Sequence, residues 1–173
     1  MDSRWYAVHV RSGGEFATSE SLQHRGYEVF LPSYRQRRRL SDRIKTMDAA
    51  LFPGYLFCRV QPGVSGLILS TPGVISLVGA GRTPLPVEEE EIVSLRRTLE
   101  TRAGEPWPFP REGRTVRIEE GPFRGVCGVV VRIKNECKLV VSITLLQRSV
   151  AVELDADAAT PLDGDPQRAL HYN

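Results

Sequence analysis

The chain has 173 residues, of which 41% are hydrophobic and 25% charged, and a formal net charge of +2. That length accommodates one medium domain or two small ones, and the composition excludes wholesale disorder. No apolar run approaches the roughly 20 residues that span a bilayer, and the start, Met1-Asp2-Ser3-Arg4-Trp5, lacks the apolar stretch of a secretory signal. A cytoplasmic protein without membrane contact is therefore expected.

Residues 5–10 are β-branched and aromatic enough for a strand. Ser12-Gly13-Gly14-Glu15 then has the pattern of a capping box, with the serine accepting from the Glu15 amide while the carboxylate reaches back. The helix it opens should end at Gly26, which tolerates the left-handed conformation. Residues 27–31 predict a second strand before Pro32, and 55–60 a third after Phe52-Pro53-Gly54. A short helix fits 64–70, stopped by Pro72-Gly73, and 74–78 a fourth strand. Residues 88–102 are helical, with Ile92, Leu95 and Leu99 on one face. The run Glu88 to Glu91 reads as a solvated first turn, not a metal site, and it suits the helix dipole.

From 104 to 110 alternating prolines predict a stiff extended connector, since they exclude helix and remove sheet donors. Beyond it the runs 115–118, 126–133, 138–143 and 149–154 are short and β-rich, as in a small closed barrel. The domains expected are thus 1–103, a linker 104–110, a barrel 111–160 and a frayed acidic tail 161–173.

Charge is uneven. Between 34 and 45 six basic residues (Arg35, Arg37, Arg38, Arg39, Arg43, Lys45) meet one acid, Asp42, whereas 153–173 holds five acids against Arg168 alone. A concentrated arginine window on a near-neutral chain points to a local anionic partner; the bland alternative is a solvated hairpin, but five arginines rather than lysines favour bidentate phosphate or carboxylate contacts. No GxSxG, P-loop, HExxH or GxGxxG motif occurs, and His9, His24 and His171 are scattered. Cys58, Cys127 and Cys137 are widely spaced without a CxxC pair, so they are expected as small apolar side chains. No enzyme, metal or cofactor is expected.

What remains are surfaces. Trp5, Tyr6, Phe52, Tyr55 and Phe57 form an aromatic set, with Tyr55 and Phe57 on one strand face and Leu56 and Cys58 on the other. They are either core or an exposed apolar patch for a protein partner. Phe123, in the glycine-proline turn 120–125, joins Ile143, Leu145 and Leu146 as a docking spot or as barrel core.

Trp5-Tyr6-Ala7-Val8, Leu51-Phe52-Pro53-Gly54-Tyr55-Leu56-Phe57 and Thr71-Pro72-Gly73-Val74 resemble, in order and spacing, the amino-terminal (NGN) domain of the NusG family of transcription elongation factors. Residues 113–118 with 121–128 resemble the KOW motif in the position where that family carries it. The resemblance implies an α+β fold: an α/β sandwich with a four-stranded antiparallel, ferredoxin-like sheet, linked to an all-β SH3-like barrel. It also implies a monomer in which the first domain grips the clamp helices of the largest RNA polymerase subunit, suppresses pausing and lies near the non-template DNA strand.

Carried over by position, Trp5, Phe52, Pro53, Tyr55 and Phe57 belong to the polymerase-binding surface. Arg11 and His24 match positions that face the non-template strand, and Arg35, Arg37, Arg38 and Arg39 join them as nucleic-acid-binding candidates. In the barrel, Phe123, Val126, Ile143 and Leu145 match the region that engages a small-subunit ribosomal protein or Rho. The family's phenylalanine-glycine-arginine turn is replaced by Leu145-Leu146-Gln147-Arg148-Ser149, which resembles specialised antiterminator paralogues acting on particular operons. Some paralogues refold the barrel as a helical hairpin, but the valines at 126, 129–131, 140 and 141 favour strands. The alternative is a stand-alone KOW-containing RNA-binding or ribosome-associated module.

Overall fold

The computed structural model describes residues 3–39, 44–61, 65–101, 104–108, 115–118, 122–133 and 136–154. The expected acidic tail lies outside them. The backbone divides into two compact units, Met1–Glu88 and Glu89–Asn173.

In the first unit β1 (Arg4–Val10) leads into α1 (Glu15–His24), followed by β2 (Glu28–Phe30), β3 (Ser33–Arg39), β4 (Ile44–Ala50) and β5 (Tyr55–Val60). Then come α2 (Ser65–Leu69), β6 (Val74–Leu77), β7 (Gly79–Ala80), β8 (Thr83–Pro84) and β9 (Pro86–Val87). The main sheet runs β2-β5-β1-β6 with every pair antiparallel, and β9 adds to β1. Two split β-α-β units interleaved in this order make the expected ferredoxin-like arrangement. The α1 terminus is a Schellman motif: Gly26, at φ +84°, donates to Gln23 and Tyr27 donates to Leu22.

Register separates the two faces of this sheet. Val8 and Val10 of β1 share one face with Leu56, Cys58 and Val60 of β5, and Leu22 of α1 and Ile68 of α2 cover them. All seven are buried and form the core of the unit. The opposite face carries the pairs Trp5–Arg59, Ala7–Phe57 and His9–Tyr55, and Phe30 of β2 lies beside Phe57. The alternation of Tyr55 and Phe57 against Leu56 and Cys58 is thus as expected. Burial, and then the nearby Glu28 charge, push the Cys58 thiol up to about 12, so it stays protonated in this core.

The arginine window forms a separate two-stranded hairpin, β3 with β4, in which Arg35 faces Asp48 and Arg37 faces Thr46.

The second unit opens with α3 (Glu89–Thr101), then β10 (Glu105–Pro108), β11 (Thr115–Arg117), β12 (Cys127–Ile133), β13 (Glu136–Ile143), a 3-10 turn (Thr144–Leu146) and β14 (Arg148–Leu154). Its five strands pair antiparallel in the order β10-β14-β13-β12-β11, the strands of the SH3-like barrel. Leu139, Val140, Val141, Val150, Ala151 and Val152 are buried in it. The valine-rich segments are strands, as their β-branching predicts.

Two expectations change here. The connector is not free over its first half, because Glu105–Pro108 pairs with β14 as an edge strand. Pro106 and Pro108 alternate with Glu105 and Trp107, so the missing donors fall on one side of the strand while the other side can serve β14. Lys138 pairs with Glu105 and lies 4.8 Å from the Trp107 ring centroid. Second, α3, expected within 1–103, packs on β12 and β13. Its acids are not merely solvated: Glu91 accepts from the Thr144 N–H at 3.1 Å and Glu90 pairs with Arg117. Ser94 accepts from the Cys127 N–H at 3.0 Å, while burial and then Glu90 raise the Cys127 thiol pKa.

Candidate partner-binding surfaces

The end of β1 meets two turns of the same chemistry. Phe52-Pro53-Gly54-Tyr55 closes with the Tyr55 N–H donating to the Phe52 carbonyl at 2.9 Å, and Thr71-Pro72-Gly73-Val74 closes in the same way at 3.1 Å. Proline at the second position and glycine at the third, with φ +82° at Gly54 and +91° at Gly73, are what a type II turn requires. Consecutive amides of the chain leaving β1 bind both turns: Val10 donates to the Gly54 carbonyl and Arg11 to that of Gly73, each at 2.9 Å.

Helix α1 fastens the same two turns through side chains. The expected capping box does not form, for the N-cap residue is Gly14, with no side-chain cap bond. The Glu15 carboxylate instead crosses to the first turn, where Oε1 accepts from the buried Gly54 N–H at 2.8 Å. Burial alone would raise the Glu15 pKa, but the N–H groups of Gly54, Glu15 itself and Gly13 outweigh it and hold the carboxyl below its ordinary range. Thr18, one turn further along, packs so closely on Gly73 that a Cβ there would lie 2.2 Å from its Oγ1.

This scaffold presents the expected polymerase-binding set unevenly. Pro53 is exposed at the tip of its turn and Tyr55 half-buried, its ring stacked on that of His9 with centroids 5.1 Å apart. Trp5, Phe52 and Phe57 are only 2%, 1% and 0% exposed. Of the two readings open for these rings, core or exposed patch, burial selects the core for all three, which corrects their expected place on the polymerase-binding surface. Phe52 packs edge-on against Phe57 at 5.9 Å, Phe30 lies tilted on Phe57 at 6.2 Å, and the Arg59 guanidinium caps Trp5 at 5.9 Å. Aromatic rings brought together by register satisfy one another's apolar area and leave little of it outside.

The basic candidates do not form one site. Arg11 precedes α1 and His24 ends it, so a helix of about 15 Å separates them, although both are exposed. Arg35 and Arg37 are exposed and share one face of the β3–β4 hairpin. The side chains of Arg38 and Arg39 lie outside the described part.

In the second unit Phe123, Val126 and Ile143 are buried to 1%, 0% and 0% exposure, so these three candidates are barrel core and present no docking surface. Leu145 and Leu146 are half-buried in the turn that ends at Gln147, whose φ of +52° is left-handed. Among the described residues, no three His, Cys, Asp or Glu side chains gather closely enough to hold a metal ion, and no helix is long and apolar enough to cross a membrane.

Reading along the chain missed the Glu15–Gly54 bond and the role of the second turn. The repeated Pro-Gly pair, at 53–54 and 72–73, was the available signal for a matched pair of turns.

A sequence model described as "Transcription termination factor nusG" matches residues 3–96. The Transcription termination/antitermination protein NusG of Thermus thermophilus is 31% identical over 90% of this chain and 96% of its own, and that of Pseudomonas aeruginosa 28% identical over the same shares. A solved structure described as "Domain interaction in Thermotoga maritima NusG" is 26% identical and covers 93% of this chain and 98% of its own, with a TM-score of 0.52.

Proposed function

The chain belongs to the NusG family, and from that membership we propose a bacterial elongation and antitermination factor whose first unit binds the clamp helices of the largest RNA polymerase subunit. The binding surface centres on Pro53 and Tyr55, with His9 and Phe30 beside them. The observation that carries this reading is the rigid presentation of Pro53 and Tyr55 by a turn bonded to both β1 and α1. Trp5, Phe52 and Phe57 serve as the packed ground beneath that surface. A partner that favours the elongating state of a mobile polymerase over the paused one suppresses pausing without catalysing a reaction. Each ~1.4 kcal/mol of differential affinity shifts that ratio about tenfold.

The second unit recruits a further partner, a small-subunit ribosomal protein or Rho, through the exposed part of the 144–148 turn around Leu145. Leu145-Leu146-Gln147-Arg148-Ser149 in place of the usual turn favours a specialised operon regulator. Arg11, His24 and the hairpin arginines supply separate basic points towards DNA near the transcription bubble.

Pro53→Ala with Tyr55→Ala in the intact chain should weaken polymerase binding about tenfold or more, because hot spots of this size sit on aromatic anchors. The melting temperature should stay nearly constant, since neither side chain belongs to the buried core. Unchanged polymerase affinity in the folded variant, with salt-sensitive RNA binding retained, would favour the stand-alone RNA-binding alternative.

A further inference from the structure

We propose that Glu15 is a positioning residue for the polymerase-facing turn, holding Pro53 and Tyr55 in register through its hydrogen bond to the Gly54 N–H. The inference rests on the proposed role of that turn and adds a residue outside it, on another element.

The geometry is specific. Gly54 stands between the two side chains that would meet the partner, in a left-handed conformation at φ +82°. Its carbonyl is fixed by the Val10 N–H at 2.9 Å and its N–H by Glu15 Oε1 at 2.8 Å. The peptide planes on both sides of Gly54 are therefore anchored, one to the sheet and one to the helix. Without an acceptor at Glu15 the buried Gly54 N–H would be left unsatisfied, and the cheapest relief is a rotation of the Pro53–Gly54 peptide towards water. That rotation displaces Pro53 and the start of β5, where Tyr55 stacks on His9.

Glu15 is otherwise an odd residue to bury. It is 5% exposed at the first position of α1, where an acid suits the helix dipole equally well facing solvent. Turning it inward makes sense if its acceptor oxygen matters more than its charge. Thr18, seated against Gly73 in the second turn, sets how closely the helix approaches the turns.

Reach and charge can be separated by substitution in the intact chain. Glu15→Gln keeps an acceptor oxygen at the same distance without the charge, whereas Glu15→Asp keeps the charge at the helix start but shortens the arm by one methylene. The expected pattern is that Glu15→Gln retains polymerase affinity within about threefold while Glu15→Asp weakens it about tenfold, as loss of a bond to a buried amide implies. Hydrogen exchange at the Gly54 amide should accelerate in Glu15→Asp and stay slow in Glu15→Gln. The reverse order, with Glu15→Asp close to wild type and Glu15→Gln weakened, would mean that Glu15 acts through the helix dipole and would overturn the proposal. So would equal affinities for both variants while Tyr55→Ala binds weakly. If Tyr55→Ala also binds normally, the reading of the turn as the polymerase surface fails first, and this inference with it.

Discussion

Glu15 marks the difference between a side chain's local preference and its use in the fold. Ser12 and Glu15 are spaced as a capping box, yet the carboxylate bonds a residue 39 positions away in sequence. Because the folded pKa lies below the ordinary value of 4.5, the ionised form stabilises the fold. That contribution is fully present above the unfolded pKa and disappears as pH falls through the folded one. Melting temperatures of the wild-type and Glu15→Gln chains should therefore differ most near neutrality and converge as pH falls below the ordinary carboxyl value of 4.5. A constant gap through that fall in pH would mean that the charge carries none of the stability. The polymerase candidates follow the same lesson at this scale. Residue type marked Trp5, Tyr6, Phe52, Tyr55 and Phe57 as one aromatic set, but their exposure was not legible, because it depends on which neighbour each ring finds across the sheet.

Elements were read well where the signal is local. β5 spans Tyr55–Val60 as expected, and α1 stops before Gly26. The elements read less well are those whose partners decide them. The β3–β4 hairpin, built on arginines with no apolar alternation, was legible only as one alternative for the basic window, and β10 contains two prolines that argue against a strand until an edge position is available. Turn packing is testable at this scale. Gly73→Ala places a methyl against Thr18 and forces φ +91° on an L residue, so it should cost more than Gly54→Ala, whose nearest contact is an ordinary 3.5 Å from Ser12. Left-handed strain alone is about 1–2 kcal/mol. Since the nearest clashing atom is Thr18 Oγ1, Thr18→Ala should restore part of the loss, and the double variant should melt above the additive expectation. Strict additivity would show that the two side chains do not meet.

Across the whole molecule, charge and contact pattern organise the chain differently from its punctuation. The net charge is only +2, yet residues 34–45 carry +5 and the rest of the chain sums to −3. Nucleic-acid affinity of the intact protein should thus fall with salt, and Arg35→Ala with Arg37→Ala should reduce the slope of log K against log salt by about 2. Filter binding or anisotropy over a salt series measures this, and an unaltered slope would remove the hairpin from the nucleic-acid surface. The contact pattern divides at Glu88, whereas the proline run at 104–110 marked the obvious break. The proline signal was real, but it records a strand edge as well as a boundary, and α3 joins the barrel through Glu90, Glu91 and Ser94.

Periodicity and glycine and proline placement were enough for most strands and helices. The α+β class and the NusG family were legible through the resemblance carried by the motifs at residues 5–8, 51–57, 71–74 and 113–128. Those features depend on neighbours within a few residues, so the linear order contains them. Burial of three rings, the core role of Phe123, Val126 and Ile143, and the Glu15 bond to Gly54 needed the folded chain. Each depends on groups brought together from distant segments, and residue type alone cannot say which polar atom or apolar face such a partner will claim.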